Sequence, residues 1–531
     1  MSNTNRTYKI WEPLLLSVVT IVGMIAGANF VKSDVVPHKA DPAISNANYS
    51  GRQVEEIIRF LETKYVGSVS SEELSEKAIN AVLEGLDPHT HYFPPEQTEA
   101  LEEKTMGHYV GIGIEVVFIE DTLVVLYPKK DSPAANSGLK PGDHIIAIDG
   151  QSIISDTLDH EKILEMIKGS KGSHVRLLIK PMLEKDLRTI EISREEIKVP
   201  SVLAGYMIDS TVAFIKLSRF TNTTYREFMD TWEELNTKHN AKHLILDLRD
   251  NPGGYLREAV NILSQIFKDE GNLLVYTQGK NQERIEYKST GKVFFPIENV
   301  CVLINGNSAS ASEIIAGCLQ DHDRAVVIGT KSYGKGLVQE QFDLSNGGTL
   351  RMTVSKYYTP SGRSIQKAYD KESIIDTIQV FKTTSGRIVH AGGGIMPDIV
   401  IEDAIDWEDL SIRTWMDIIS EYAIRFDLIK YDGKLVQTDS MATVVQNLPS
   451  HAVVMNELSA LAKIRAKEKY DTLMDYFRAH QDVIYRITDA TLVAYRTGEE
   501  GWYRAFNLQD PVVKKANEVV KEDLQIALAQ H

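Results

Sequence analysis

Three short runs constrain this chain most. HLILDL (243–248), VCVLI (300–304) and AVVIGT (325–330) are apolar at nearly every position. A strand with one solvated face alternates; a run without alternation fits a strand buried on both faces, as in a parallel sheet covered by helices. The first two runs lead through small-residue turns into helical patterns, RDNPGGYLREAV and NGNSASASEIIAGCL. Strand–turn–helix repetition of this kind predicts an α/β core with a largely parallel sheet over residues 196–403. Ligands of such sheets sit at the carboxyl ends of the strands, so the turns after these runs are where chemistry is expected.

The remaining segments read as separate units, and the chain as an α+β multidomain protein. Arg6 and Lys9 precede an uncharged apolar stretch from Pro13 to Val31, nearly long enough as a helix to span a bilayer. The basic flank predicts a cytoplasmic N-terminus with the rest of the chain outside, on the periplasmic side. Ala26, Gly27 and Ala28 also resemble a signal-peptidase site, so residues 1–32 are read as a membrane anchor or a cleaved signal. A polar linker follows (33–51), then a helical region (52–105) in which Val54, Ile57, Ile58 and Leu61 share one face. From 106 to 195 the pattern turns to short strands with turns at Pro141-Gly142 and Asp149-Gly150 and one helix after Asp159. That order closely resembles a PDZ domain. The resemblance implies that Gly111, Ile112, Gly113 and Ile114 hold the carboxylate of a peptide C-terminus on backbone N–H groups, the peptide then pairing as an added strand. Residues 404–531 are helical without a chemical motif, which leaves packing, homodimerisation and partner docking open.

Within the α/β region three motifs follow one another: DLRDNPGG (247–254), NSASASE (307–313) and SYGKGLVQ (332–339). Acyl transfer needs a nucleophile, a base and donors for the oxyanion, and this set can supply all three. Four serines compete for the first role: Ser308, Ser310, Ser312 and Ser332. Small residues around Ser310 admit a substrate backbone, and the helix starting there points N–H groups at developing negative charge. The N–H of Ala311 is one natural oxyanion donor, and Gly253 or Gly254 offers another. Lys335 lies between two glycines with no carboxylate beside it in sequence. To serve as a base it must be neutral, so its pKa must fall from about 10.4 to near 7, a differential cost of about 4 kcal/mol. Burial without a paired carboxylate does this, and Gln339 can orient the amine without adding charge.

The succession of a PDZ-like unit, NPGG, SASASE, GKGxxQ, TPSGRSIQ (359–366) and GIMPDI (394–399) resembles the C-terminal processing, or tail-specific, peptidases over about two-thirds of the chain. The resemblance implies a serine endopeptidase that cleaves proteins or peptides with free, apolar C-termini, without metal or nucleotide. It assigns the nucleophile to Ser310, the base to Lys335 and the orienting amide to Gln339.

Other readings fit less well. GTKSYGKG nearly matches a phosphate loop, but Gly336 stands where the magnesium-binding hydroxyl belongs and a strand-like run follows. Ser332 and Lys335 form an SxxK pair without its companion motifs. His89 and His91 lack a third ligand, and LDPHT reads as a turn. Glu313 reads as a first-turn cap, and Asp247 with Arg249 as a structural pair. A formal charge of −16 argues against nucleic acid as a partner. Two cysteines, Cys301 and Cys318, both in apolar surroundings, make no disulfide framework.

Overall fold

The computed structural model describes residues 50–98, 107–119, 122–153, 160–182, 184–280, 282–367, 379–402, 405, 407, 409–431, 441–522 and 528. The apolar 13–31 segment lies outside them; among the described residues no helix is long and apolar enough to cross a membrane. The chain divides into two units, up to Leu86 and from Asp87 onward. The first contains helices α1 (Ser50–Lys64) and α2 (Ser71–Glu84). The Oγ of Ser70 caps α2 by accepting from the N–H of Glu73 at 3.3 Å. The second unit opens with the LDPHT turn and a short strand, β1 (His91–Phe93), that the turn-like sequence did not announce.

The strand-rich segment is built from β2 (His108–Gly111), β3 (Ile114–Ile119), β4 (Thr122–Pro128), α3 (Pro133–Asn136), β5 (His144–Ile148), β6 (Gln151–Ser152), α4 (His160–Ile167), β7 (His174–Lys180), β8 (Arg188–Ser193) and β9 (Glu195–Lys198). Its sheet runs β3-β4-β5-β7-β8, with β6 added to β5. Asp149 and Gly150 both have positive φ, 50° and 84°, the geometry a two-residue hairpin requires. Leu123, Val125, Ile145, Ile163, Val175 and Leu177 fill the core between this sheet and α4. The strand leading in, β2, pairs antiparallel with the strand leading out, β9.

The next elements are β10 (Val202–Met207), β11 (Val212–Leu217), α5 (Thr224–His239), β12 (His243–Asp247), α6 (Leu256–Ile266), β13 (Glu270–Gln278), β14 (Ile285–Thr290), β15 (Val300–Ile304), α7 (Ala311–Asp321), β16 (Val326–Gly329), β17 (Leu337–Asp343), β18 (Thr349–Tyr358), β19 (Val380–Lys382), β20 (Ile388–His390) and β21 (Ile399–Val400). The central sheet has the order β10-β11-β12-β15-β16-β21. Its first pair is antiparallel and the rest are parallel, as the unbroken apolar runs predict. Successive residues of one strand serve opposite faces. Leu244 and Leu246 of β12 pack with Phe228 and Trp232 of α5, Ile262 of α6 and Ile315 of α7. Ile245 faces the other way, towards Cys301 and Leu303 of β15. A second sheet, β1-β18-β13-β14 with β17 against β18, stands beside the first. The chain ends in helices α8 (Leu410–Tyr431), α9 (Met441–Gln446), α10 (His451–Ala466), α11 (Tyr470–Ala479), α12 (Gln481–Thr497), α13 (Glu499–Asn507) and α14 (Pro511–Val519). Trp415, Phe477 and Ile484 centre their core, which Val117 and Val124 of the strand-rich segment also enter. The last helix, α14, leaves that bundle and covers the second face of the central sheet through Val512, Val513, Ala516 and Val519.

Trp232 is fully buried on the α5 face, its Nε1 donating to the Phe295 carbonyl at 3.1 Å. Trp232→Ala should therefore cost about 3–5 kcal/mol, read from the denaturant midpoint at unchanged m-value. A loss below about 1 kcal/mol would show that α5 does not anchor this face of the sheet.

Candidate active site

The three turns at the carboxyl ends of β12, β15 and β16 are tied to one another before any side chain is free to do chemistry. The Leu248 N–H donates to the Leu303 carbonyl at 2.9 Å, and the Ala309 N–H to the Asn251 carbonyl at 3.0 Å. The Tyr333 N–H donates to the Ser308 carbonyl at 3.0 Å. Asp250 holds a left-handed conformation, φ 58°, and its Oδ1 accepts from the side-chain amides of Asn305 and Asn307.

These ties separate the four serines. The Ser308 hydroxyl donates to the Leu248 carbonyl at 2.8 Å, and that of Ser312 to the Asn251 carbonyl at 2.9 Å. Ser332 donates to Glu313 Oε1 at 2.5 Å and accepts from the Ile395 N–H at 2.6 Å. All three are buried. Ser310 is half-exposed. Among the described residues its hydroxyl donates to no acceptor, and the side chain forms a capping box with Glu313. It stands at the start of α7 with φ 56° and ψ −113°, a conformation that costs a non-glycine residue about 1–3 kcal/mol and is found where surroundings impose it.

Glu313, one turn into α7, does more than cap the helix. Its Oε2 accepts from the N–H of Ser310 at 2.8 Å and from the N–H of Lys335 at 2.9 Å. Its Oε1 accepts from the Gly334 N–H at 2.7 Å as well as from Ser332. Both oxygens act purely as acceptors, the role of an ionised carboxylate, although burial pushes its pKa up against these donors. The buried Tyr357 hydroxyl complements it. It lies against the Ser310 carbonyl at 3.0 Å and against the Lys335 carbonyl. One carboxylate and one phenol thus bind the backbones of Ser310 and Lys335 from both sides.

Lys335 is half-buried, and its Nζ donates to Gln339 Oε1 at 3.0 Å. The other end of that amide donates to the His89 carbonyl at 2.7 Å, which fixes the oxygen towards the lysine. The LDPHT turn is therefore a bracket. Asp87 accepts from the His89 N–H at 2.9 Å and the Thr90 hydroxyl at 2.7 Å, and it engages Thr353 of β18. Burial, then the positive charge of Arg351, lowers the Lys335 pKa, against opposing pulls from Asp87 and Glu313. Among the described residues no three His, Cys, Asp or Glu side chains form a metal-sized cluster.

Gly253 packs so closely that a Cβ there would stand 2.7 Å from Ser310 Cβ and 2.6 Å from the Ala309 carbonyl oxygen. Its own N–H donates to Asn251 Oδ1 at 2.9 Å. Gly254 bridges Phe220 in parallel, with Phe220 N–H on the Gly253 carbonyl and Tyr255 N–H on the Phe220 carbonyl. That pattern turns the N–H of Gly254 away from Phe220. Neither Gly254 N–H nor Ala311 N–H has an acceptor among the described residues.

In the strand-rich segment, Gly111 ends β2 and Ile114 begins β3, the open edge strand of its sheet. The Ile112 side chain is buried, and Gly113 has φ 74°. Their carbonyls accept from Ala134 and Lys129, but their N–H groups have no acceptor among the described residues. Phe118 of β3 stacks on His160 of α4 with centroids 3.6 Å apart, joining the two elements.

Asn251, Tyr357 and Asp87 were not singled out by sequence reasoning, and Glu313 was read only as a cap. For Asp87 a signal existed, since Asp-Pro-His-Thr is an Asx-type turn, but nothing local points to Thr353, 266 positions away.

Residues 211–380 match the profile of peptidase family S41, and residues 124–181 that of a PDZ domain. A carboxy-terminal-processing protease of Bartonella bacilliformis is 33% identical over 393 residues, covering 72% of this chain and 83% of that protein. A Staphylococcus epidermidis protein named probable CtpA-like serine protease is 32% identical, covering 67% of this chain and 71% of its own. A photosystem II D1 C-terminal processing protease of known structure is 25% identical, with a TM-score of 0.37, over 67% of this chain and 88% of that one. The chain belongs to peptidase family S41, as a PDZ-containing serine protease of the carboxy-terminal processing type.

Proposed function

We propose that this protease cleaves proteins selected by their C-terminal tails, with Ser310 as nucleophile and Lys335 as general base. One observation carries the assignment. Of the four serines around the three turns, Ser310 alone has a hydroxyl that donates to no acceptor among the described residues, and Glu313 and Tyr357 tie its backbone to that of a lysine with a depressed pKa. Neutral Lys335 Nζ takes the proton of Ser310 Oγ as the oxygen attacks the scissile carbonyl carbon. The oxyanion is received by the N–H groups of Ala311 and Gly254, because that of Gly253 is engaged by Asn251. The lysine ammonium returns the proton to the departing amine, and water then hydrolyses the acyl-enzyme with Lys335 again as base. Ser310 Oγ and Lys335 Nζ are not hydrogen-bonded here, and catalytic contacts of this kind tighten when substrate binds. The chemistry calls for no metal or nucleotide.

Tail selection is assigned to Gly111–Ile114. The unpaired N–H groups of Ile112 and Gly113 receive a terminal carboxylate, and the open edge of β3 receives the peptide behind it. The apolar 13–31 stretch behind Arg6 and Lys9 supports an extracytoplasmic, periplasmic location, through membrane anchorage or secretion.

Ser310→Ala, Lys335→Ala and the double variant should be inactive to a similar degree, since the two groups act as one unit. Single-turnover hydrolysis of an unfolded substrate checks this, and a full-rate Ser310→Ala enzyme would overturn the assignment. Lys335 must lose its proton to act, so kcat/KM should rise with pH through the lowered lysine pKa and then level. Gln339→Glu places a negative charge where the amide oxygen now lies 3.0 Å from Nζ. This favours the ammonium, and the rise should move to higher pH; an unmoved profile would exclude Lys335 as the titrating base. Substrates with a C-terminal amide or two added aspartates should be cut about tenfold or more slowly, one tenfold step being about 1.4 kcal/mol of lost recognition. Equal rates would remove Gly111–Ile114 from tail selection.

A further inference from the structure

The region after residue 404 carries no motif, yet it reaches the catalytic turns. Asp510 is the N-cap of α14, its Oδ1 accepting from the N–H groups of Val512 and Val513 at 2.8 and 3.3 Å. Its Oδ2 accepts from Arg249 Nη1 at 2.8 Å. The opposite side of the guanidinium grips Asp247, with Nε at 3.1 Å from both oxygens and Nη2 at 2.6 Å from Oδ2. Lys216 Nζ lies 3.3 Å from Asp247 Oδ1 and also donates to the Arg249 carbonyl. All four side chains are buried. Lys216 and Arg249 face Asp247 and Asp510, with Asp250 also within electrostatic reach of Lys216, and Asp510, the only one of the four paired side chains from beyond the α/β core, completes the charge balance around Arg249. Without it the buried Arg249 guanidinium would keep only one of its two carboxylate partners in a site that water screens little.

Position decides what the balance is for. Arg249 opens the turn that passes through the left-handed Asp250 to Asn251 and the two glycines. The Asn251 carbonyl accepts from the Ala309 N–H and the Ser312 hydroxyl, so this turn and the Ser310 turn share one register. A displacement at Arg249 would pass to Gly253, which has no free space against Ser310.

We propose that Asp510 is a positioning residue for peptide-bond hydrolysis: acting through Arg249, it holds the 249–254 turn so that the Gly254 N–H meets the oxyanion. The proposal rests on the reaction assigned to Ser310 above. Segment 507–519, behind the helical bundle, thereby belongs to the working catalytic unit.

The test is Asp510→Asn in the full chain. Asparagine caps a helix as well as aspartate does, so the substitution removes the negative charge facing Arg249 and leaves the α14 cap in place. The expected result is a fall in kcat of about tenfold to a hundredfold at unchanged KM, the scale of a misplaced catalytic geometry. A peptide aldehyde, whose adduct on Ser310 presents an oxyanion, should lose affinity by the same factor, while a non-cleavable tail peptide binds as before. Asp510→Glu should recover part of the rate. Wild-type kcat in a folded Asp510→Asn enzyme would overturn the proposal, and so would equal losses of aldehyde and tail-peptide affinity. If Asp510→Asn does not fold, Arg249→Lys carries the same test, because lysine keeps the charge but cannot fork to both carboxylates; wild-type kcat there would overturn it. Ser310→Ala, run alongside, separates the two readings. If it is inactive while Asp510→Asn is fully active, only the role of Asp510 fails; if it is active, both fail.

Discussion

The site depends on one buried carboxylate. Glu313 collects donors from two turns that leave different strands, and two of them, the N–H groups of Ser310 and Lys335, meet on a single oxygen. Removing this group would leave several buried donors unpaired, each costing about 1–3 kcal/mol. It would also free the two turns to move independently. Tyr357 closes the same junction from the carbonyl side. Acceptor and donor are both needed because a peptide fixed at only one of its polar groups can still rotate about that contact. Ser310 and Lys335 are therefore positioned chiefly through their own main chain.

The lysine environment is a balance among charges. Its immediate partner is the neutral amide of Gln339, so burial lowers the pKa without a paired anion to restore it. Carboxylates are close by, but both are committed. Asp87 is occupied by the LDPHT turn and Thr353, and Glu313 by backbone N–H groups. Their hydrogen bonds spend the negative charge on structural donors. A lysine can thus sit near two acids and still be inclined towards its neutral form.

Much of the scaffold was legible because it rests on local pattern. HLILDL and VCVLI could hardly be anything but strands buried on both faces, and Asp149-Gly150 could hardly be anything but a hairpin turn. What could not be read was every contact whose partner lies far along the chain. The choice among Ser308, Ser310 and Ser312 has no local signature, since all three sit in the same small-residue run. The resemblance assigns Ser310, but nothing local shows that Leu248 and Asn251, some 60 residues earlier, accept from Ser308 and Ser312. The His89 carbonyl on Gln339 and the Asp510 carboxylate on Arg249 are of the same kind. Histidine side chains drew attention in LDPHT, whereas its backbone makes the contact.

The backbone at Ser310 has a further consequence, one that concerns evolution more than catalysis. With φ at 56°, this position suits glycine better than any residue with a side chain. Glycine there would relieve the strain, at the cost of the hydroxyl proposed above as the nucleophile. On the proposed assignment, activity and a robust fold therefore pull in opposite directions at this one codon.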